Sequence, residues 1–211
     1  MNDNDVCDFY NKHWRRFDVS RVRIWRCVKR FVESLQKGSN VLDAGCGNGK
    51  NMIYMEQNGM KTKGIDFSEK LVNVCSKKGL KTSVADIRKI PYPDGSFDHV
   101  ICIAVLHHLQ KEEDRVKAMN EMLRVCKKGG KVMVCVWAVE SSDEKLEKRN
   151  FVYGDNFVKW EDTFRYYFVY DKEHIEKFTK QFNTIELDWE RGNWYYVVRT
   201  DKISSIRSDD L

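Results

Sequence analysis

A chain of 211 residues with 42% hydrophobic and 12% aromatic side chains can bury one full core without disulfide or metal staples. Its net charge is only +5, no segment approaches a membrane span, and the opening Met1-Asn2-Asp3-Asn4-Asp5 carries neither a basic n-region nor an apolar run. The seven cysteines are odd in number and contain no C-x-x-C, which argues against a disulfide framework or a zinc site and for buried free thiols in a reducing compartment. The expectation is one soluble intracellular domain over residues 1–200, with a helical segment at 6–37, a core at 38–200 and a disordered tail at 201–211.

In chain order, Trp14, Phe17, Ile24, Trp25, Val28, Phe31, Val32 and Leu35 recur at helical spacing and predict one or two helices leading into the first strand. Between Lys12 and Arg30 there are eight Lys or Arg residues against one acid, Asp18. Charge of this kind suits RNA phosphates, and equally a solvated helix face. Next comes Val41-Leu42-Asp43-Ala44-Gly45-Cys46-Gly47-Asn48-Gly49-Lys50, an apolar strand ending in an acid, then alternating glycines that open a helix. Such a loop lets a ligand lie against main-chain N–H groups. The spacing is neither G-x-G-x-x-G nor a phosphate loop, since Lys50 is followed by Asn51. D-x-G-x-G-x-G after a strand is instead the pattern of S-adenosylmethionine methyltransferases, in which Asp43 would reach the ligand's amino-acid end.

The following segments repeat the design. Asn48 to Gln57 forms the first crossover helix, and Lys61 to Asp66 a second strand whose acid, 23 residues after Asp43, can accept both ribose hydroxyls. Ser68 caps the next helix, which runs to the Lys78-Gly79 stop. Leu80 to Val84 is a third strand closing on Ala85-Asp86-Ile87, where an acid and a backbone amide can meet an adenine edge. After the Pro91 to Gly95 turn, Ser96 to Ile103 is a fourth strand. Val116, Met119, Leu123 and Cys126 mark a helix ending at Gly129-Gly130, and Lys131 to Trp137 is a fifth strand. Ser141 to Asn150 reads as a mobile loop and Asp171 to Gln181 as a helix. Thr184 to Glu190 with Trp194 to Arg199 makes a hairpin. A second basic and aromatic cluster, Lys159-Trp160, Arg165-Tyr166-Tyr167, Arg191 and Trp194-Tyr195-Tyr196, suits RNA bases as well as a core. The fold class is therefore α/β and Rossmann-like, a mostly parallel seven-stranded sheet with helices on both faces and a C-terminal antiparallel hairpin.

Several runs carry a family resemblance. Cys102 to Leu109, Leu123-Arg124-Val125, Gly129-Gly130 and Trp137-Ala138-Val139-Glu140 resemble the eukaryotic tRNA wobble-uridine methyltransferases. Tyr10-Asn11, Phe17, Ser20-Arg21, Trp25 and Phe31 extend the similarity toward the N-terminus. Phe157 to Trp160, Arg165-Tyr166-Tyr167 and Glu190 to Trp194 extend it toward the C-terminus, so that it covers roughly residues 6 to 199. The chain departs from the family in having Phe168 where His is usual, and Glu161 to Phe164 in place of a long polar insertion.

The resemblance implies methyl transfer from S-adenosylmethionine to the carboxylate of 5-carboxymethyluridine in the tRNA anticodon loop. It also implies a heterodimer with a small zinc-binding activator subunit at the third strand's edge, near residues 80–84 and Leu71, Val72 and Cys75, in the cytoplasm or nucleus. A carboxylate is already ionised at neutral pH, so the chemistry asks for positioning rather than a base. Arg165 suits that task through its guanidinium fork, with Arg21 as a second candidate; His107 can hydrogen-bond substrate, and Trp137 and Tyr166 can stack on uracil. The cofactor set is Asp43, Gly45, Cys46, Gly47, Asn48, Asp66, Phe67, Asp86, Ile87, Ile103 and His108, with no metal ligands. Two alternatives stand beside this reading: a methyltransferase acting on a quinone or carboxylic-acid metabolite, and a non-catalytic cofactor-binding scaffold.

Overall fold

The computed structural model describes residues 3–20, 23–141, 150–160 and 163–200. Arg21, most of the 141–150 loop and the 201–211 tail lie outside the described residues. Two helices come first, α1 (Asp3–Ser20) and α2 (Arg26–Glu33). Then follow β1 (Asn40–Ala44), α3 (Lys50–Gln57), β2 (Lys61–Asp66), α4 (Glu69–Lys77), β3 (Thr82–Val84) and β4 (Phe97–Ile103). A 3-10 turn (Leu106–His108) leads to α5 (Glu112–Val125), β5 (Cys126–Trp137), β6 (Gly154–Trp160) and β7 (Thr163–Val169). The chain closes with α6 (Lys172–Thr179), β8 (Thr184–Trp189) and β9 (Asn193–Arg199).

Seven strands form one sheet in the order β3-β2-β1-β4-β5-β9-β8, and β6 pairs with β7 separately. Pairing is parallel from β3 through β5, while β9 runs antiparallel between β5 and β8. The central strands are buried on both sides, and their alternation splits the apolar residues between two cores. On one face Val132, Val134, Val136, Tyr196 and Val198 share a cluster with Met119 and Met122 of α5 and with Ile175 and Phe178 of α6. On the other, Ile101, Met133, Cys135, Tyr195 and Val197 share a cluster with Val28, Phe31 and Val32 of α2 and with Met52 and Met55 of α3. The helix starts follow local chemistry. The Ser68 hydroxyl accepts from the Leu71 N–H, and Asp171 accepts from the His174 N–H. The N-terminus of α2 is capped from a distance: Glu190 accepts from the backbone N–H groups of Arg26 (3.2 Å) and Cys27 (2.7 Å).

Three features differ from the sequence-based expectation. β5 begins at Cys126, directly after α5, because residues 127–130 bulge out opposite Asp98 instead of ending the segment. The hairpin β6-β7 lies where the sequence suggested only a basic and aromatic cluster. Leu71, Val72 and Cys75 face inward and are buried, so they are not open to a partner as expected. β3 does form the sheet's edge, with Val84 exposed. All seven cysteines are free thiols, and Cys7 alone is not buried. Among the described residues no helix is long and apolar enough to cross a membrane.

Candidate active site

A cavity of about 450 Å³ opens beyond the carboxyl ends of β1, β2 and β4, where a parallel sheet of this type places its ligands. Its floor is the glycine loop. Gly45 sits at φ +86°, and a Cβ there would run into the Val105 side chain; at Gly47, φ +54°, a Cβ would lie 3.1 Å from the Phe17 ring. The loop is held by Asp66 at the end of β2, which accepts from the Gly47 N–H (2.8 Å) and the Ser68 N–H (2.9 Å). Two backbone bonds leave further lone pairs on that carboxylate. Burial nevertheless outweighs these hydrogen bonds and raises its pKa.

Asp43 is fully buried beneath the loop, and neither of its oxygens has a hydrogen-bond partner. Burial, then repulsion from Asp66, lifts its pKa to about 7 against a smaller opposing pull from Lys50. The folded-state value lies above the ordinary one, so the stability this group contributes is intact at low pH and is lost as pH rises toward 7. The cost is on the order of 4 kcal/mol. The ligand-free protein should therefore show a melting temperature that falls between about pH 5 and pH 7, more steeply than in Asp43→Asn. Equal slopes in the two proteins would dispose of the assignment.

The other cofactor candidates gather round the same space. Gly45, Cys46, Gly47, Asn48, Phe67, Ile87 and Ile103 line the cavity beside Asp66 and Asp86. Asp86 is engaged by Arg88, whose Nη2 lies 2.6 Å from Oδ2; burial would raise the Asp86 pKa, but the arginine outweighs it and the net shift is down. An adenosyl ligand with an ammonium-bearing tail matches this donor set. Asp66 offers lone pairs to the ribose hydroxyls and Ile87 and Phe67 offer apolar flanks, whereas Asp43 lies buried beneath the loop and does not itself line the cavity. The residues fit S-adenosylmethionine.

At the other end stand the residues expected to meet substrate. Arg165, on β7, is 4% exposed and faces the cavity among aromatic rings. Its guanidinium carbon lies 4.5 Å from the Trp160 ring centre, 4.9 Å from that of Phe9 and 5.2 Å from that of Tyr167. Nη1 donates to the Tyr10 hydroxyl (3.4 Å), Nε has no partner, and among the described residues no carboxylate pairs with it. His107 Nδ1 accepts from the Trp137 N–H (3.2 Å), so the neutral ring carries its proton on Nε2. Burial, reinforced by His108 and Arg165, holds the His107 pKa well below its ordinary value.

Three expectations are redirected. Tyr166 does not line the cavity; strand alternation turns it away, and its hydroxyl donates to Asp155 (2.7 Å). Tyr167 takes its place, stacked on Trp137 with ring centres 3.9 Å apart and planes 7° apart. That contact covers one face of the Trp137 indole, which is then closed to a uracil. His108 lines the cavity, but both its nitrogens are taken, Nδ1 by the Tyr166 carbonyl and Nε2 by the Tyr10 hydroxyl, each at 3.0 Å, so neither is open to hydrogen-bond a cofactor. Sequence reasoning missed Cys7 and Tyr10, although with Phe17 they make a helical stripe that lines the cavity. It also missed the exposed rim of Arg23, Arg26 and Arg191 as parts of one opening.

A glycine loop beneath a parallel sheet, strand-end acids and an antiparallel last strand define the class I methyltransferases. A sequence profile described as a methyltransferase domain matches residues 42–134. The chain is 37% identical over 176 residues to an Encephalitozoon cuniculi protein named as a methyltransferase, covering 79% of this chain and 80% of that one. It is 46% identical over 131 residues, 62% of its length, to the tRNA (carboxymethyluridine(34)-5-O)-methyltransferase of Arabidopsis thaliana, of which the match spans 32%. Among solved structures, the methyltransferase in a complex with the Haloferax volcanii Trm112 activator superposes with a TM-score of 0.72 at 17% identity, over 93% of this chain and 98% of that one. The chain belongs to the methyltransferase family that includes the tRNA carboxymethyluridine enzymes.

Proposed function

We propose that this protein transfers a methyl group from S-adenosylmethionine to the carboxylate of 5-carboxymethyluridine at the wobble position of tRNA, giving the methyl ester. The observation that carries this reading is Arg165: a buried guanidinium at the cavity, stacked by rings and without an acidic partner among the described residues. A buried unpaired cation is costly, and a ligand carboxylate would offset that cost. When bound, S-adenosylmethionine supplies an electrophilic methyl on a sulfonium. Arg165 fixes the direction of the carboxylate through two parallel hydrogen bonds. The rings of Phe9, Trp160 and Tyr167 exclude water from it, and His107 Nε2–H is a neutral donor for the base. The histidines need not move a proton, in keeping with their lowered pKa values. Positioning of this kind is worth up to roughly 7–11 kcal/mol.

The arginine rim favours an RNA substrate over a small acid, because Arg23, Arg26 and Arg191 are exposed where a polyanion would approach. Nucleoside mass spectrometry of tRNA from cells lacking the protein should show carboxymethyluridine accumulating and its methyl ester lost. Unchanged ester, or methylation by the purified enzyme of small carboxylic acids but not of tRNA, would overturn the proposal.

The proposal extends to a heterodimer with a small zinc-binding activator, supported by the three-residue edge strand β3 and its exposed Val84. Thr82→Pro removes a backbone donor from that edge and should abolish co-purification with the activator. Unimpaired co-purification would place the contact elsewhere.

A further inference from the structure

Helix α1 lies across the cavity and is anchored on the segments expected to hold the cofactor. The Cys7 thiol donates to the Phe67 carbonyl (3.3 Å), and Asn11 Oδ1 accepts from the Ser68 hydroxyl (2.7 Å), both at the turn after Asp66. Further along, the Phe17 ring packs over Gly47, Asn48 Nδ2 donates to the Asp18 carbonyl (3.0 Å), and Lys78 pairs with the Asp18 carboxylate (2.7 Å). Tyr10 stands between these anchors, its ring edge-on to Phe17 and to His108.

The hydrogen bonds around Tyr10 have only one consistent direction. The Tyr166 carbonyl can only accept, so His108 Nδ1 carries the proton and donates to it. His108 Nε2 is then an acceptor, because burial pushes the ring's pKa down to about 4 and keeps it neutral. The Tyr10 hydroxyl must give its proton to Nε2, which leaves its oxygen lone pairs facing Arg165 Nη1. The rings around Arg165 hold the guanidinium along their normals but do not select which N–H points into the cavity. A hydrogen-bond acceptor does.

We propose that Tyr10 is a positioning residue for Arg165, through which the docking of α1 on the cofactor loop sets the orientation of the substrate-binding guanidinium. This rests on the reading of Arg165 as the group that binds the substrate carboxylate. It makes the N-terminal helix a link between the two ends of the cavity: with α1 in place the fork is aimed, and with α1 displaced Arg165 keeps its charge but loses its direction.

A double-mutant cycle tests this. Tyr10→Phe keeps the ring and removes the hydroxyl, so kcat on tRNA should fall about tenfold to a hundredfold while cofactor affinity changes far less. Because Tyr10 acts through Arg165, the Tyr10→Phe, Arg165→Lys double variant should be no slower than Arg165→Lys alone. Wild-type kcat in Tyr10→Phe, or losses that multiply in the double variant, would overturn the proposal. A substrate-free readout separates it from the substrate assignment. In protein labelled with ¹⁵N-arginine, the Arg165 Nη1–H groups, which donate to Tyr10, should exchange with solvent about tenfold faster in Tyr10→Phe than in wild type, and equal exchange would overturn it independently. The expected exchange difference in a protein that leaves tRNA unmethylated would overturn the substrate assignment alone.

Discussion

Asp66→Ala is expected to weaken S-adenosylmethionine binding by at least about a hundredfold, since two hydrogen bonds to a charged group are worth roughly 1.5–3 kcal/mol each. The loss has a second source. Asp66 also holds the Gly47 and Ser68 N–H groups, so the alanine variant frees the loop on which the ligand lies. Asp66→Asn keeps one carbonyl acceptor and should fall between alanine and wild type. Calorimetry checks both, with circular dichroism to confirm that the sheet is intact. Wild-type affinity in the alanine variant would remove Asp66 from the site.

Arg165→Lys is expected to lower kcat on tRNA by roughly a hundredfold or more, the scale seen when one preorganised donor to a reacting oxyanion is lost. Lysine keeps the charge but cannot form two parallel bonds to a carboxylate or present a planar guanidinium among the Trp160 and Phe9 rings. Because the change is felt by the substrate, the cofactor's Kd should move far less than kcat. Single-turnover rates with saturating cofactor measure this directly. Equal rates in the two proteins would make Arg165 a packing residue only.

The sheet was legible in the sequence because its strands end in acids or glycines at regular intervals and its helices are stopped by Asn58-Gly59 and Lys78-Gly79. The glycine loop and Asp66 were legible for the same reason: their chemistry is local, and each lies within a few residues of a strand end. What escaped was set by contacts distant in the chain. Strands β6 and β7 have no glycine or proline between them, and their density of rings resembled an RNA-stacking cluster. Once the pairing of Phe157 with Tyr166 and of Val158 with Arg165 is known, alternation puts Arg165 and Tyr167 together and sends Tyr166 away. Tyr10 was invisible as a site residue because the helical pattern stood out only from Trp14 onward, whereas α1 starts at Asp3 and continues past non-helical backbone angles at His13.

The position of β9 has a consequence for how the chain is made. The strand that completes the apolar flank of β5 is synthesised only after β6, β7, α6 and β8. Until it emerges from the ribosome, β5 presents unpaired backbone groups and the side chains of Val132, Val134 and Val136 as an open edge. A nascent chain stalled before Asn193 is thus primed for intermolecular strand pairing, and its window of vulnerability closes only when Trp194 to Val198 slot in beside β5.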